Sequence, residues 1–142
     1  MASSDPNKAA AFHEIDIPST LDAAKKPERE ILRHIELCGY SEEASFAIKL
    51  ALEEAMTNAV KHGNGNDANK RIKVRYAVDP ARAVIIVRDE GGGFCHQSVP
   101  DPTRPDRLTL PTGRGIMLMR AYMDEVKFEA DGTEVCLVKL NR

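Results

Sequence analysis

Ala83-Val84-Ile85-Ile86-Val87-Arg88-Asp89-Glu90-Gly91-Gly92-Gly93-Phe94 joins a wholly apolar run to an acidic, glycine-rich turn. Five apolar residues in a row, four of them β-branched, have the length and composition of a buried strand, and such a strand belongs near the centre of a sheet. The turn after it stands at a sheet end, where loops carry functional groups. Asp89, once ionised, only accepts hydrogen bonds. Gly91 and Gly93 leave the backbone open to a flat ligand, with no Cβ in the way.

The neighbouring segments supply the rest of a sheet. Ile72, Val74, Tyr76 and Val78 alternate with polar residues, as on a half-buried strand, and Asp79-Pro80 turns the chain into the central run. Val126-Lys127-Phe128 and Val135 to Leu140 read as a hairpin around Asp131-Gly132. His13 to Pro18 alternates too, and its terminal proline suggests an edge strand. Three helices are expected. Pro27 opens the first, with Glu28 and Glu30 in its first turn and Gly39 ending it. Ser41 caps the second, which runs to about His62, with Phe46, Leu50, Met56 and Val60 giving apolar surface and Ala47, Ala51, Ala55 and Ala59 allowing close packing. The third spans Gly115 to Met123. Between the central strand and that helix, four of the eight prolines fall in residues 100–111, which excludes regular structure and reads as a surface loop. The fold class is α+β, a two-layer sandwich of a mainly antiparallel sheet with its helices on one face.

Bulk properties narrow the function. A chain of 142 residues that is 42% hydrophobic can bury one core, so we expect a polar, frayed N-terminus (1–11) and a single domain (12–142). A net charge of −2 gives no basic field for nucleic acid. No apolar stretch could span a bilayer, and the first residues do not resemble a secretion signal. Cys38, Cys95 and Cys136 are widely spaced and lack metal-ligand spacing, which reads as reduced cytoplasmic thiols.

Three patches carry chemistry. Glu54 and Asn58 are four apart on the second helix and share a face. Glutamate can act as a general base, while a neutral amide oxygen suits Mg²⁺ that keeps waters and phosphate oxygens. Lys61, three residues on, could add a phosphate counter-charge. Asp89 matches the donor amine of adenine. Gly113-Arg114-Gly115 precedes helical residues, where free N–H groups and a guanidinium favour phosphate. Thr133 offers a hydroxyl at the base-binding end. Taken singly, each patch is an ordinary helix face or turn; together, in this order, they describe a nucleotide site assembled from separate parts of the chain. No GxxxxGK[ST] or GxGxxG occurs, which excludes two other phosphate-binding loops.

Glu54-x-x-x-Asn58-Ala59-x-x-His62-Gly63 resembles the N box of the GHKL ATPase superfamily, which groups gyrase, heat-shock chaperone, histidine kinase and MutL nucleotide domains. Asp89-x-Gly91-x-Gly93 resembles its first glycine box, Gly113-x-Gly115-Ile116-x-Leu118-Met119 the second, and Gly132-Thr133 the last. Within the superfamily the chain is most similar to the small anti-sigma factor serine kinases of the RsbW type. That resemblance implies a Bergerat-type ATP-binding fold and an ATP- and Mg²⁺-dependent serine/threonine kinase. It implies that Glu54 polarises the attacking serine hydroxyl, that Asn58 binds Mg²⁺ and that Asp89 reads adenine. It further implies that Gly91 and Gly93 line the base pocket and that Gly113, Arg114 and Gly115 hold phosphates under a lid formed by residues 99–111. Partners implied are a sigma factor, a small anti-anti-sigma protein phosphorylated on serine, and a second copy in a homodimer. Glu53 is the other acid within reach, although helical phase favours Glu54. Two rival functions stay open at this point: a nucleotide-gated binding switch without phosphotransfer, and a stand-alone histidine-kinase-like ATPase domain.

Overall fold

A computed structural model describes residues 11–91, 111–129 and 132–141, with residues 111–115 described as backbone only. Five antiparallel strands form one sheet in the order β1-β2-β3-β5-β4: β1 (His13–Pro18), β2 (Arg71–Val78), β3 (Arg82–Asp89), β4 (Glu125–Glu129) and β5 (Glu134–Leu140). The apolar run is the central strand, and β1 is at an edge. Register places Ile72 opposite Asp89, Val74 opposite Val87 and Tyr76 opposite Ile85. Val87 faces Val135 and Ile85 faces Leu137 on the other side. Because side chains alternate along a strand, Ala83, Ile85, Val87 and Asp89 all point to the helical face, and Arg88 and Glu90 point away.

Helix α1 (Lys25–Leu37) begins two residues before Pro27. A proline in the first turn removes an N–H that has no partner in a helix, so it does not have to open one. Helix α2 (Glu42–Thr57) is capped by Ser41, whose Oγ accepts from the Ala44 N–H at 3.0 Å, and it passes without a break into a π-helical turn, Asn58–Gly63. Helix α3 (Pro111–Tyr122) starts four residues earlier than expected, so Gly113, Arg114 and Gly115 lie within its first turns rather than ahead of them. Pro111 at the first position fits a helix start.

Ile31 and Ile35 of α1, Ile48 and Leu52 of α2, Met119 of α3 and the inward residues of β2, β3 and β5 form one core. The four alanines of α2 are all buried and let α3 approach closely. Phe46 departs from expectation: it is exposed and meets Tyr122 edge-on, with ring centroids 6.4 Å apart. The opposite face of the sheet carries no helix among the described residues. There Val84 and Ile86 of the central strand are only half-buried. No helix among the described residues is long and apolar enough to cross a membrane.

Candidate functional site

The end of α2 and the end of β3 meet. In the π-helical turn the Asn64 N–H reaches back to Ala59 O at 2.8 Å and the Asn66 N–H to Val60 O at 2.8 Å, which widens the last helical turn. Such widened turns recur at functional sites because they re-aim side chains. Ala55, Asn58 and Ala59 form one wall of a small hollow. Val87 and Asp89 of β3 form the next, Met119 of α3 and Phe128 of β4 close it, and Gly132 and Thr133 lie at its rim. The hollow encloses about 20 Å³, room for a water molecule.

Asp89 sits at the end of the inward-facing row and is 8% exposed. Its backbone N–H donates to Thr133 O at 2.9 Å, and its Oδ1 accepts from the Gly91 N–H at 2.9 Å. Burial pushes its carboxyl up to about 6, against a smaller downward pull from the Gly91 N–H, Lys70 and Arg88. A buried carboxylate with one short internal partner keeps acceptor capacity for a ligand donor. Gly63 lies directly against it: a Cβ there would overlap the Asp89 carboxyl, and a Cβ on Gly91 would overlap the Gly63 carbonyl. Both glycines are therefore fixed by close approach. We expect Gly63→Ala to displace the Asp89 side chain and cost about 1–3 kcal/mol in urea unfolding. His62, next in line, has a buried Nε2 without a hydrogen-bond partner among the described residues. Burial, helped by Lys61, holds its imidazole below the usual range, which favours the neutral ring.

The structure brings Asn58, Asp89 and Thr133 to one hollow, and Glu54, Lys61 and Gly91 are not among its lining residues. Glu54 is one turn before Asn58 and half-buried. Glu53 turns elsewhere: it pairs with Lys49 at 4.0 Å and crowds Glu28 of α1, whose carboxyl is raised by burial first and by Glu53 second. Lys61 is exposed on the π-helical turn and does not line the hollow. The extra residue in that turn rotates it away from the phase of a regular helix. The N–H groups of Gly113 and Arg114 are still among the first four of α3, which have no partner within the helix. Gly93, the side chain of Arg114 and residues 99–110 of the anticipated lid lie outside the described residues.

A roomier hollow of about 390 Å³ lies on the open face of the sheet. Its four cations are offset by acids: Arg71 pairs with Asp16 at 2.7 Å, Lys73 with Glu14 at 3.7 Å, Arg75 and Arg88 share Glu134 at 3.8 and 3.7 Å, and Asp89 and Glu90 also line it. That balance leaves no net positive field for a triphosphate, so we assign function to the smaller hollow on chemical grounds. Two contributors carry no anticipated role: Gly63, which enters only as the last residue of the N-box match, and Asn64, which lies outside it. Both fall in a stretch that reads as a loop by composition, and nothing in its periodicity signals that Asn64 is 2% exposed.

Comparison with known proteins gives the family of the chain. The histidine kinase-like ATPase domain family matches residues 17–139. The serine-protein kinase RsbW of Bacillus licheniformis is 39% identical over 112 residues, covering 73% of this chain and 70% of that protein. The RsbW of Bacillus subtilis (strain 168) is 33% identical over 109 residues, 71% of this chain and 68% of that one. The anti-sigma F factor of Geobacillus thermodenitrificans is 34% identical over 99 residues, 65% of this chain and 66% of that one. In fold, the chain is similar to a crystal structure of the RsbU and RsbW domains of a Mycobacterium tuberculosis protein, with a TM-score of 0.62 at 18% identity over 93% of this chain and 32% of that longer one. The antiparallel sheet, the helical Asn58 and the buried Asp89 thus stand in a chain that belongs to the histidine kinase-like ATPase domain family, among its RsbW-type members.

Proposed function

We propose that this chain is an ATP- and Mg²⁺-dependent protein serine/threonine kinase that regulates a sigma factor by phosphorylating a small anti-anti-sigma protein on serine. The observation that carries the reading is the meeting of Asn58 and Asp89 at one hollow, from segments about thirty residues apart. Asp89 accepts a hydrogen bond from the adenine amine, with Gly91 and Gly93 alongside the base and Thr133 at the same end. Asn58 holds Mg²⁺ through its amide oxygen. A neutral amide oxygen is the kind of ligand Mg²⁺ would take beside phosphates and waters. That ion supplies charge compensation for the phosphates when bound.

Gly113, Arg114 and Gly115 at the α3 start take the phosphates, with Lys61 as a further cation and residues 99–111 as the cover. Glu54 accepts the proton of the partner's serine hydroxyl as its oxygen bonds to the γ-phosphorus, and ADP leaves. The engagement of Glu53 with Lys49 and Glu28 supports Glu54 as the base. Phosphoryl transfer of this kind rests mainly on positioning and charge. Residues 12–142 act as one cytoplasmic unit, paired in a homodimer. The test is radiolabelled ATP with a small serine-containing protein encoded beside this chain. Acid-stable label on serine is expected. Acid-labile label would instead indicate transfer to histidine, and tight nucleotide-dependent binding without label would indicate a switch.

A further inference from the structure

Asn64 is almost fully buried, and both its Nδ2 donors and its Oδ1 acceptor are engaged. Its Oδ1 accepts from the Glu90 N–H at 2.8 Å. Its Nδ2 donates to Ser19 Oγ at 2.9 Å and to Arg71 O at 3.1 Å. Only this orientation of the amide satisfies all three partners. The partners come from three places: the exit of β1, the first residue of β2 and the residue that follows Asp89. Its own backbone N–H closes the π-helical turn on Ala59 O. A second tie runs beside it, from the Arg71 N–H to Glu90 Oε1 at 2.8 Å.

We propose that Asn64 is a positioning residue for nucleobase recognition, a latch that holds the end of β3 against the π-helical turn so that Asp89 meets the base in one fixed place. The inference rests on the reading of Asp89 as the group that selects adenine. Asn64 follows Gly63, whose backbone forms the wall against the Asp89 carboxyl, and it grips Glu90, the residue after Asp89. One side chain therefore fixes both the wall and the strand end. No other side chain fills the role: aspartate lacks the two donors, glutamine is one methylene too long, and alanine removes the acceptor of the Glu90 N–H and both donors to Ser19 and Arg71.

A latch of this kind acts on discrimination more than on phosphate binding. Adenine presents a donor where guanine presents a carbonyl acceptor, so a fixed carboxylate favours one and repels the other. Calorimetric titration of the Mg²⁺ salts of ATP and GTP at pH 7.5 gives the ratio of the two affinities for the full chain. Asn64→Ala is expected to lower the ATP:GTP ratio about tenfold with GTP affinity unchanged, and Ser19→Ala, which removes one acceptor and leaves Asn64 in place, about threefold. Ser19→Ala keeps the test alive should Asn64→Ala fold poorly. If the variants bind both nucleotides equally more weakly, or keep the native ratio, while Asp89→Asn collapses it, Asn64 is a fold-holding residue only and the proposal is overturned. If Asp89→Asn itself leaves the ratio unchanged, the reading of Asp89 is wrong and the latch falls with it.

Discussion

Replacement of Glu54 by alanine is expected to cut phosphotransfer by roughly 10²–10⁴-fold, the usual contribution of a positioned general base, while nucleotide binding stays near wild type. The expectation of an intact fold follows from the position. Glu54 lies inside α2, is half-buried, and sits where alanine is the best helix former. The expectation of intact binding follows from the hollow, whose lining includes Asn58 and Ala55 but not Glu54. Glu53→Ala is the necessary companion. Its Lys49 pair joins two half-exposed side chains at 4.0 Å, an arrangement worth well under about 1 kcal/mol. Its removal also relieves the like-charge crowding of Glu28. Glu53→Ala should therefore keep both stability and transfer. A single-turnover assay on both variants decides the matter: transfer lost in Glu53→Ala and kept in Glu54→Ala would move the base role by one residue.

The sheet was legible because its signals are local. Alternation in β2, the unbroken apolar run of β3 and the turn at Gly132 each fix a strand by composition, and the proline ending β1 marks an edge, whereas the pairing of β3 with β5 rather than β4 has no local signal. The φ of +90° at Gly132 is what the hairpin turn requires. Helix starts were less legible, since a proline is tolerated anywhere in a first turn, which moved α1 back to Lys25 and α3 back to Pro111. The meeting of Asn58 with Asp89 was readable from motif order. The surroundings of Asp89 were not. A glycine-asparagine stretch spells a turn whether it is solvated or buried, and only the packing of the π-helical turn on β3 makes Gly63 a wall and Asn64 a buried tie. Lys61 stands on the same widened turn, exposed and outside the lining of the hollow, a placement that its spacing from Asn58 does not signal.

Asp89→Asn is expected to do two opposite things, weaken ATP binding by about 100-fold and stabilise the nucleotide-free fold. The first effect arises because the asparagine Nδ2 would meet the adenine amine donor to donor. The second follows from linkage. The folded carboxyl titrates at about 6, above the ordinary value of 3.8, so the native state holds its proton more tightly than the unfolded chain does. Its contribution to stability is then complete below about pH 4 and is lost as pH rises through about 6. At neutral pH the ionised, buried group costs the fold on the order of 3 kcal/mol. Asparagine has the same shape, keeps an acceptor for the Gly91 N–H and carries no charge. The apo variant should accordingly unfold at higher urea at pH 7.5, with the gain vanishing near pH 4. The same titration governs recognition in the wild type. A protonated Asp89 no longer presents two acceptors, so the preference for adenine should halve near pH 6 and fall about tenfold per pH unit below it. Taking the ratio of ADP to GDP affinities at each pH cancels the titration of the phosphates, which both ligands share. A ratio that stays flat from pH 5 to 8, or an asparagine variant that binds ATP as tightly as wild type, would detach Asp89 from the base and leave its burial without a functional cause.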